Sequence, residues 1–238
     1  KKIVVGPDDG KLTYFKWLPD RGIIIYSLSL LQNGYCDIQI ATYNAESGEK
    51  RIYPDISGLP EGSEVDEIKL SILTNSVYVK VKTGKSCSQI YRFDIRDNCT
   101  LMMTANSDIL IEQTVHNDNL VYENNGNIYV RSGSSNVEKQ LKFGRKSVLL
   151  GIDSMDRVFA GQQDQDGKIT VIYYGKTDED INEKWKMVEL SKPVLRQNII
   201  IAGSGAVYEL IEEEQCFRSI DGLTEIGFDG EFIEMTDD

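Results

Sequence analysis

Apolar and polar residues alternate along most of this chain, and clusters of Asp, Asn, Ser and Gly interrupt the alternation at short intervals. Period-two runs rich in β-branched and aromatic side chains predict half-buried strands, and the interrupting clusters predict turns. The runs group in fours. The first module reads 13–18, 23–31, 37–44 and 50–56; the second 67–73, 77–83, 88–95 and 99–104; the third 109–115, 119–123, 127–131 and 138–143. The fourth reads 147–153, 157–163, 168–174 and 185–190, and the fifth 198–203, 206–212, 215–220 and 223–228. The second run of each module carries a ring, Tyr26, Tyr78, Tyr122, Phe159 and Tyr208, at spacings of 52, 44, 37 and 49 residues.

Four up-and-down strands recurring at that period predict a β-propeller, because one such unit cannot bury its own apolar faces and must stack on a neighbour. The expected fold is all-β: a single propeller domain over 1–238, built of four-stranded antiparallel blades at about 12–56, 66–104, 108–143, 147–190 and 197–228. Five blades is the reading; six, or an irregular arc, are the alternatives. Two strands are left over, 2–5 (KIVV) and 231–235 (EFIEM), and 2–5 is the better candidate to close the ring and hide its edges. The stretches 57–66 and 191–197 are read as irregular crossings between blades.

Thirty-eight acidic against 26 basic residues give a net charge of −12, with no evident basic stripe. That argues against nucleic acid as a partner and against direct attraction to anionic lipid. No run approaches a membrane span of about 20 apolar residues. The chain opens at Lys1 rather than Met, which leads to the expectation of a missing upstream targeting or anchoring segment and an extracytoplasmic, surface-held, monomeric protein. Cys36, Cys87, Cys99 and Cys216 show no metal spacing, and free thiols are expected.

The first module carries a recognisable wording: Leu18-Pro19-Asp20-Arg21-Gly22-Ile23-Ile24-Ile25-Tyr26, then Asp37-Ile38-Gln39-Ile40-Ala41-Thr42-Tyr43-Asn44, then Ser47-Gly48-Glu49-Lys50. It resembles the blades of TolB-like propellers and of the propeller preceding the catalytic domain in dipeptidyl-peptidase-type enzymes. It is also similar to the extracytoplasmic propeller of membrane-anchored bacterial proteins. Arg21 interrupts the Asp-Gly pair of that wording, and the other four modules keep only the aromatic residue and the turn chemistry. The resemblance implies fold and location, and no reaction.

Candidate chemistry is sparse. Glu67, Glu112 and Asp153 fall on first strands of different modules, where a propeller glycosidase would need its acid and its nucleophile or base. Trp17-Leu18-Pro19-Asp20 is a faint echo of a sugar-hydrolase motif. Asp164-Gln165-Asp166-Gly167 opens like a calcium loop, but the twelfth position is Gly175 rather than Glu, so a hairpin turn is the plainer reading and Asp164 with Asp166 a weak Ca²⁺ candidate. His116 is the sole histidine, and no G-x-S-x-G elbow accompanies it; Gly203-Ser204-Gly205 reads as a turn. No cofactor is implied. The five repeat rings are expected in the core, Trp17 buried on an inner strand, and Tyr35, Tyr43, Tyr53, Tyr173 and Tyr174 are candidates for exposure.

Turns between second and third strands, with the blade crossings, are expected to share one face: 32–35, 84–86, 124–126, 164–167, 212–215, 57–66 and 191–197. Loops on a rigid scaffold are where binding is built. The leading expectation is therefore a non-enzymatic scaffold that engages a protein, a peptide or a cell-wall glycan through that face. A glycan-active hydrolase and a structural spacer are its rivals.

Overall fold

A computed structural model describes residues 10–220 and 225–227, apart from 19–21, 72, 86, 95, 97, 107–108, 136 and 144, with the backbone alone at 32, 212 and 225–227. The expected terminal strands 2–5 and 231–235, and Asp20 of the hydrolase echo, lie outside the described residues. The chain divides into two compact units, Lys1–Ile109 and Leu110–Asp238.

The first unit holds two antiparallel sheets. One is β1 (Lys11–Leu18), β2 (Ile23–Gln32), β3 (Tyr35–Asn44), β4 (Lys50–Ile52) and β5 (Ile56–Pro60), in which β4 and β5 both pair with β3. The other is β6 (Glu64–Ser71), β7 (Ser76–Lys82), β8 (Ser88–Phe93) and β9 (Cys99–Ala105). Their facing side chains, among them Ile25, Ile38, Ile40, Ile68, Val79 and Phe93, form one core. Tyr53 joins it at 2 % exposure with its ring 5.4 Å from that of Phe93, so its expected exposure is corrected.

The second unit holds three sheets, each in chain order. They are β10 (Leu110–Gln113), β11 (Asn119–Asn124), β12 (Asn127–Ser132) and β13 (Glu138–Leu141); then β14 (Ser147–Ile152), β15 (Arg157–Gln163), β16 (Lys168–Lys176) and β17 (Lys186–Leu195); then β18 (Ile199–Ile201), β19 (Val207–Ile211), β20 (Cys216–Ser219) and β21 (Glu225–Gly227). Val121, Ile128, Leu149 and Val158 pack the first of these sheets on the second, and Val148, Phe159, Ile172 and Ile199 pack the second on the third. Fully burying a side chain of this size contributes about 1.5–3 kcal/mol. The other four sheets are thus up-and-down antiparallel blades, as the module pattern predicts, while in the first the expected run 50–56 is split between β4 and β5, both on β3; no α-helix occurs among the described residues.

A shared turn explains the recurring Asp, Asn, Ser and Gly before each ring. Every turn between a first and a second strand has one residue in the left-handed region: Gly22, Asn75, Asp118, Asp156 and Gly205, with φ from 48° to 84°. Only Gly, Asn and Asp visit that region without a large penalty. Between β2 and β3, and between β11 and β12, Asn33-Gly34 and Asn125-Gly126 have positive φ at both positions, the two-residue hairpin geometry.

Four further expectations are corrected. Trp17 is 42 % exposed, not buried: β1 has a bulge at Thr13, and its register sends Tyr14 and Leu18 to the core and turns Phe15 and Trp17 to the other side of the sheet. Tyr26, Tyr78, Tyr122 and Phe159 are at most 3 % exposed, whereas Tyr208 is only half-buried. The stretch 57–66 is largely strand. Ile56 and Leu59 both face the core although three residues apart, because a bulge with Gly58 at φ 74° absorbs the extra residue and Asp37 accepts the Gly58 N–H. The stretch 191–197 is mostly the end of β17, an edge strand that admits Pro193. All four cysteines are free thiols.

Candidate binding site

The two ends of the second unit's blades treat charge differently. At one end lie the turns between first and second strands, and buried acids bind them to one another. Asp156 is 3 % exposed. Its carboxylate accepts the Val115 N–H, the His116 N–H at 3.0 Å and the Asn117 side-chain amide at 3.1 Å, so the β14–β15 turn grips the β10–β11 turn. On the other side Asp153, 1 % exposed, accepts the Met155 and Arg157 N–H groups and the Arg157 guanidinium at 2.5 Å. Arg157 also donates to the Ser204 carbonyl, and Ser154 to that of Gly203. Gly205 makes room for this: a β-carbon there would stand 2.0 Å from Arg157 and 2.6 Å from Asp153.

At the opposite end lie the turns between second and third strands and the crossings from blade to blade. A bulge near Leu150 in β14 is bracketed by a clamp. Glu123 accepts the Leu149 N–H at 3.0 Å and pairs with Arg196 at 2.7 Å, while Arg196 donates to the Leu149 carbonyl. Just before that bulge Lys142, Phe143, Arg145 and Lys146 lie on the crossing from β13 to β14, and the Ser147 N–H bonds the Gly126 carbonyl of the β11–β12 turn. Turn, crossing and the end of β13 enclose a pocket of about 370 Å³, whose walls include Asn127, Gln140, Lys142, Arg145 and Lys146. The three cations are exposed, and no carboxylate pairs with them among the described residues.

In the first unit the polar cluster is internal. Lys80, 3 % exposed, bonds Asp66 at 2.6 Å and the Ile109 carbonyl at 2.6 Å, and Lys82 reaches the other Asp66 oxygen at 2.5 Å. Burial works against the charged form of Asp66, but the hydrogen bonds from Lys80 and Lys82 outweigh it and hold the carboxyl below its ordinary value. In the second unit, burial and then the bond to Glu138 push the Tyr122 hydroxyl well up.

The candidate residues fall in these surroundings. Glu67 stands on β6 opposite Lys80 and pairs with Lys69 at 2.8 Å. Glu112 stands on β10 opposite Val121. Asp153 is in a turn, with both oxygens occupied as described. Asp164 accepts the N–H groups of Asp166 and Lys168, each at 2.9 Å, and Gly167 has φ 77°: a hairpin turn held by one side chain. Among the described residues no three His, Cys, Asp or Glu side chains converge as metal ligands. His116 is more than half exposed, with its Nδ1 3.5 Å from Asp156. Among the aromatic candidates Tyr35 is 59 % exposed, while Tyr43, Tyr173 and Tyr174 are half-buried. The basic pocket was not foreseen. Its signal is local: Lys139, Lys142, Arg145 and Lys146 lie within eight positions, which a net charge of −12 conceals.

No protein-family model matches the chain, and no curated protein matches it. Solved structures do. The acylaminoacyl peptidase of Pyrococcus horikoshii superimposes with a TM-score of 0.51 at 13 % identity, over 92 % of this chain and 39 % of the peptidase. The β-propeller domain of the trilobed protease from Pyrococcus furiosus gives 0.53 at 12 % identity, over 94 % of this chain and 72 % of that one. An oligogalacturonate lyase from Vibrio parahaemolyticus gives 0.56 at 8 % identity, over 87 % and 62 %. The chain therefore spans less than two thirds of the peptidase and of the lyase. At these identities the likeness is one of fold, and the fold is a β-propeller. These peptidases carry the same fold, a likeness consistent with the wording of residues 18–50.

Proposed function

We propose that this propeller is a non-enzymatic binding scaffold, which takes a protein, a peptide or a cell-wall glycan at the end of its blades that carries the second-to-third turns and the crossings. The observation that carries the reading is the contrast within the second unit. Asp153 and Asp156 at the first-to-second turns are buried and closed by their own hydrogen bonds, while the crossing end offers a concave pocket with three exposed cations that no carboxylate pairs among the described residues. Concave sites with a few convergent polar groups are the usual form of a ligand site. A hydrolase reading asks for free carboxylates, and Asp153 has none of its oxygens free.

The test is binding to a glycan and peptide array, read by thermal shift, with two bulky variants. Gln140→Trp fills the crossing-end pocket; Met155→Trp adds the same bulk at the opposite turns, where Met155 is 49 % exposed. Binding lost in the first and kept in the second is expected. The reverse pattern, or turnover of a bound ligand by the wild type, would remove the proposal.

A further inference from the structure

We infer that the pocket between β13, the β11–β12 turn and the crossing to β14 selects a short acidic glycan, through the anionic groups of its sugars. The inference rests on the binding reading above and names the ligand's chemistry.

Charge is the first argument. Lys139, Lys142, Arg145 and Lys146 bring four positive charges into a segment with no acid between them. Set apart from a net −12, they leave −16 on the rest of the chain. Lys139 reaches the Thr177 carbonyl, while Lys142, Arg145 and Lys146 have no carboxylate partner among the described residues. In so acidic a chain, three cations that line one pocket without a carboxylate partner concentrate anions locally. The Lys146 stem also lies against Gly126, where a β-carbon would be 2.9 Å away, so the glycine lets the side chain cross the turn toward the pocket.

Length is the second argument. A long polyanion or an anionic membrane meets the surrounding negative field, which a ligand confined to the pocket avoids. A volume of about 370 Å³ suits such a ligand. An acidic peptide would dock by adding a strand to the open edge of β13, but that edge is only four residues long.

The remaining wall chemistry favours hydroxyl-bearing rings. Gln140 donates to the Asn127 side-chain oxygen at 3.0 Å, and Asn127 donates to the Asn125 carbonyl. The pair is thereby held in place, with the Gln140 carbonyl oxygen left as an acceptor. Phe143, half-buried, lines the pocket as well. Amides and a partly exposed ring meet the hydroxyl and C–H faces of a sugar, and the cations meet its carboxylate or phosphate.

The experiment is calorimetric titration of the whole chain at low salt with five probes: a β-linked glucuronate trimer, the neutral glucose trimer, a glucose trimer phosphorylated at its 6-positions, inorganic phosphate and pentaglutamate. The triple variant Lys142→Gln, Arg145→Gln, Lys146→Gln alters exposed side chains only, and circular dichroism checks its fold. The expected result is binding of the glucuronate or the phosphorylated glucose trimer, weakened roughly tenfold or more in the triple variant and by added salt. Which of the two binds identifies carboxylate or phosphate as the anion. Equal binding of the glucose trimer overturns the charge argument and leaves the scaffold reading standing. Binding of phosphate alone, or of pentaglutamate alone, overturns the glycan. If no probe binds while the array shows a ligand at this pocket, the inference fails by itself; if the array is also silent, the scaffold reading fails with it.

Discussion

Asp156 tests whether the acidic turn residues hold the blades together, and two substitutions separate its two contributions. The carboxylate receives three donors from the neighbouring turn, at Val115, His116 and Asn117. The backbone has φ 63°, where an ordinary β-carbon costs about 1–2 kcal/mol and Asp or Gly does not. Asp156→Gly removes the carboxylate and leaves the backbone at ease. Asp156→Ala removes the carboxylate and adds strain. Hydrogen bonds to a charged acceptor contribute about 1.5–3 kcal/mol each, but the His116 and Asn117 donors sit at an open turn and regain water when released. One bond in full and part of a second give about 3 kcal/mol for the glycine variant; strain raises the alanine variant to about 4 kcal/mol.

For a chain of this length a loss of 1 kcal/mol lowers the midpoint by about 2–4 °C, so the variants should melt about 9 and 12 °C below the wild type. Urea unfolding gives the order of stability, and hydrogen exchange of fragments read by mass spectrometry gives the place. Residues 114–119 should exchange faster in both variants, and the β11–β12 turn at 124–127 should not change. An alanine variant as stable as the wild type, or more stable than the glycine variant, would refute the reasoning.

Three further outcomes are expected. Gly205→Ala puts a β-carbon into the Asp153–Arg157 pair at φ 84°, and separating a buried acid from its guanidinium typically costs about 3–5 kcal/mol; denaturation that shows a loss under 1 kcal/mol would count against the tie between the two turns. Arg196→Met leaves Glu123 and the Leu149 carbonyl without their cation and should lower stability by about 2–3 kcal/mol, whereas Glu123→Gln with Arg196→Met should recover part of it; no coupling in that double-mutant cycle would dissolve the clamp. Asp66→Asn should destabilise by about 2–3 kcal/mol at neutral pH, since it leaves the buried Lys80 short of its counter-charge. Because the folded Asp66 carboxyl lies below its ordinary 3.8, its contribution is complete above about pH 4 and fades as pH falls through the folded value, so the gap between wild type and variant should narrow at pH 3; a gap independent of pH would contradict this.

The blades were legible because their signals are local. Alternation marks the strands, and the residue types that tolerate a left-handed backbone mark the turns, so Asn125-Gly126 and Asp164–Gly167 lie where the sequence puts them. What escaped depends on register. A bulge at Thr13 decides which side of β1 holds Trp17, and a bulge at Gly58 hides a strand by breaking its period. The functional candidates escaped for a different reason. Asp153 is conspicuous in sequence as a carboxylate at the end of a first strand, yet its role comes from Arg157, four residues on, and from a turn some 50 residues away. The crossing cations were hidden by averaging, since net charge has no address.

The separation of buried pairs from exposed, unpaired cations follows from what each task demands. A charge that holds two turns together must stay paired, and burial strengthens that pairing while making its loss expensive. Asp153 and Asp156 meet this condition: both are nearly inaccessible, and both are closed by donors from their own unit. A charge that meets a ligand must be free of an internal partner, because any such pair has to be broken on binding. Lys142, Arg145 and Lys146 meet this second condition. Their position also answers the entropy penalty of exposed side chains. The crossing that carries them begins at the last strand of one blade and ends three residues before Leu149, which Glu123 and Arg196 hold from both its N–H and its carbonyl. The backbone beneath the cations is thus fixed at its exit, so a ligand has mainly side chains to order and not the loop as well. Loosening the clamp without touching the pocket should therefore weaken binding as well as stability, and that coupling separates a mounted site from a chance cluster of lysines.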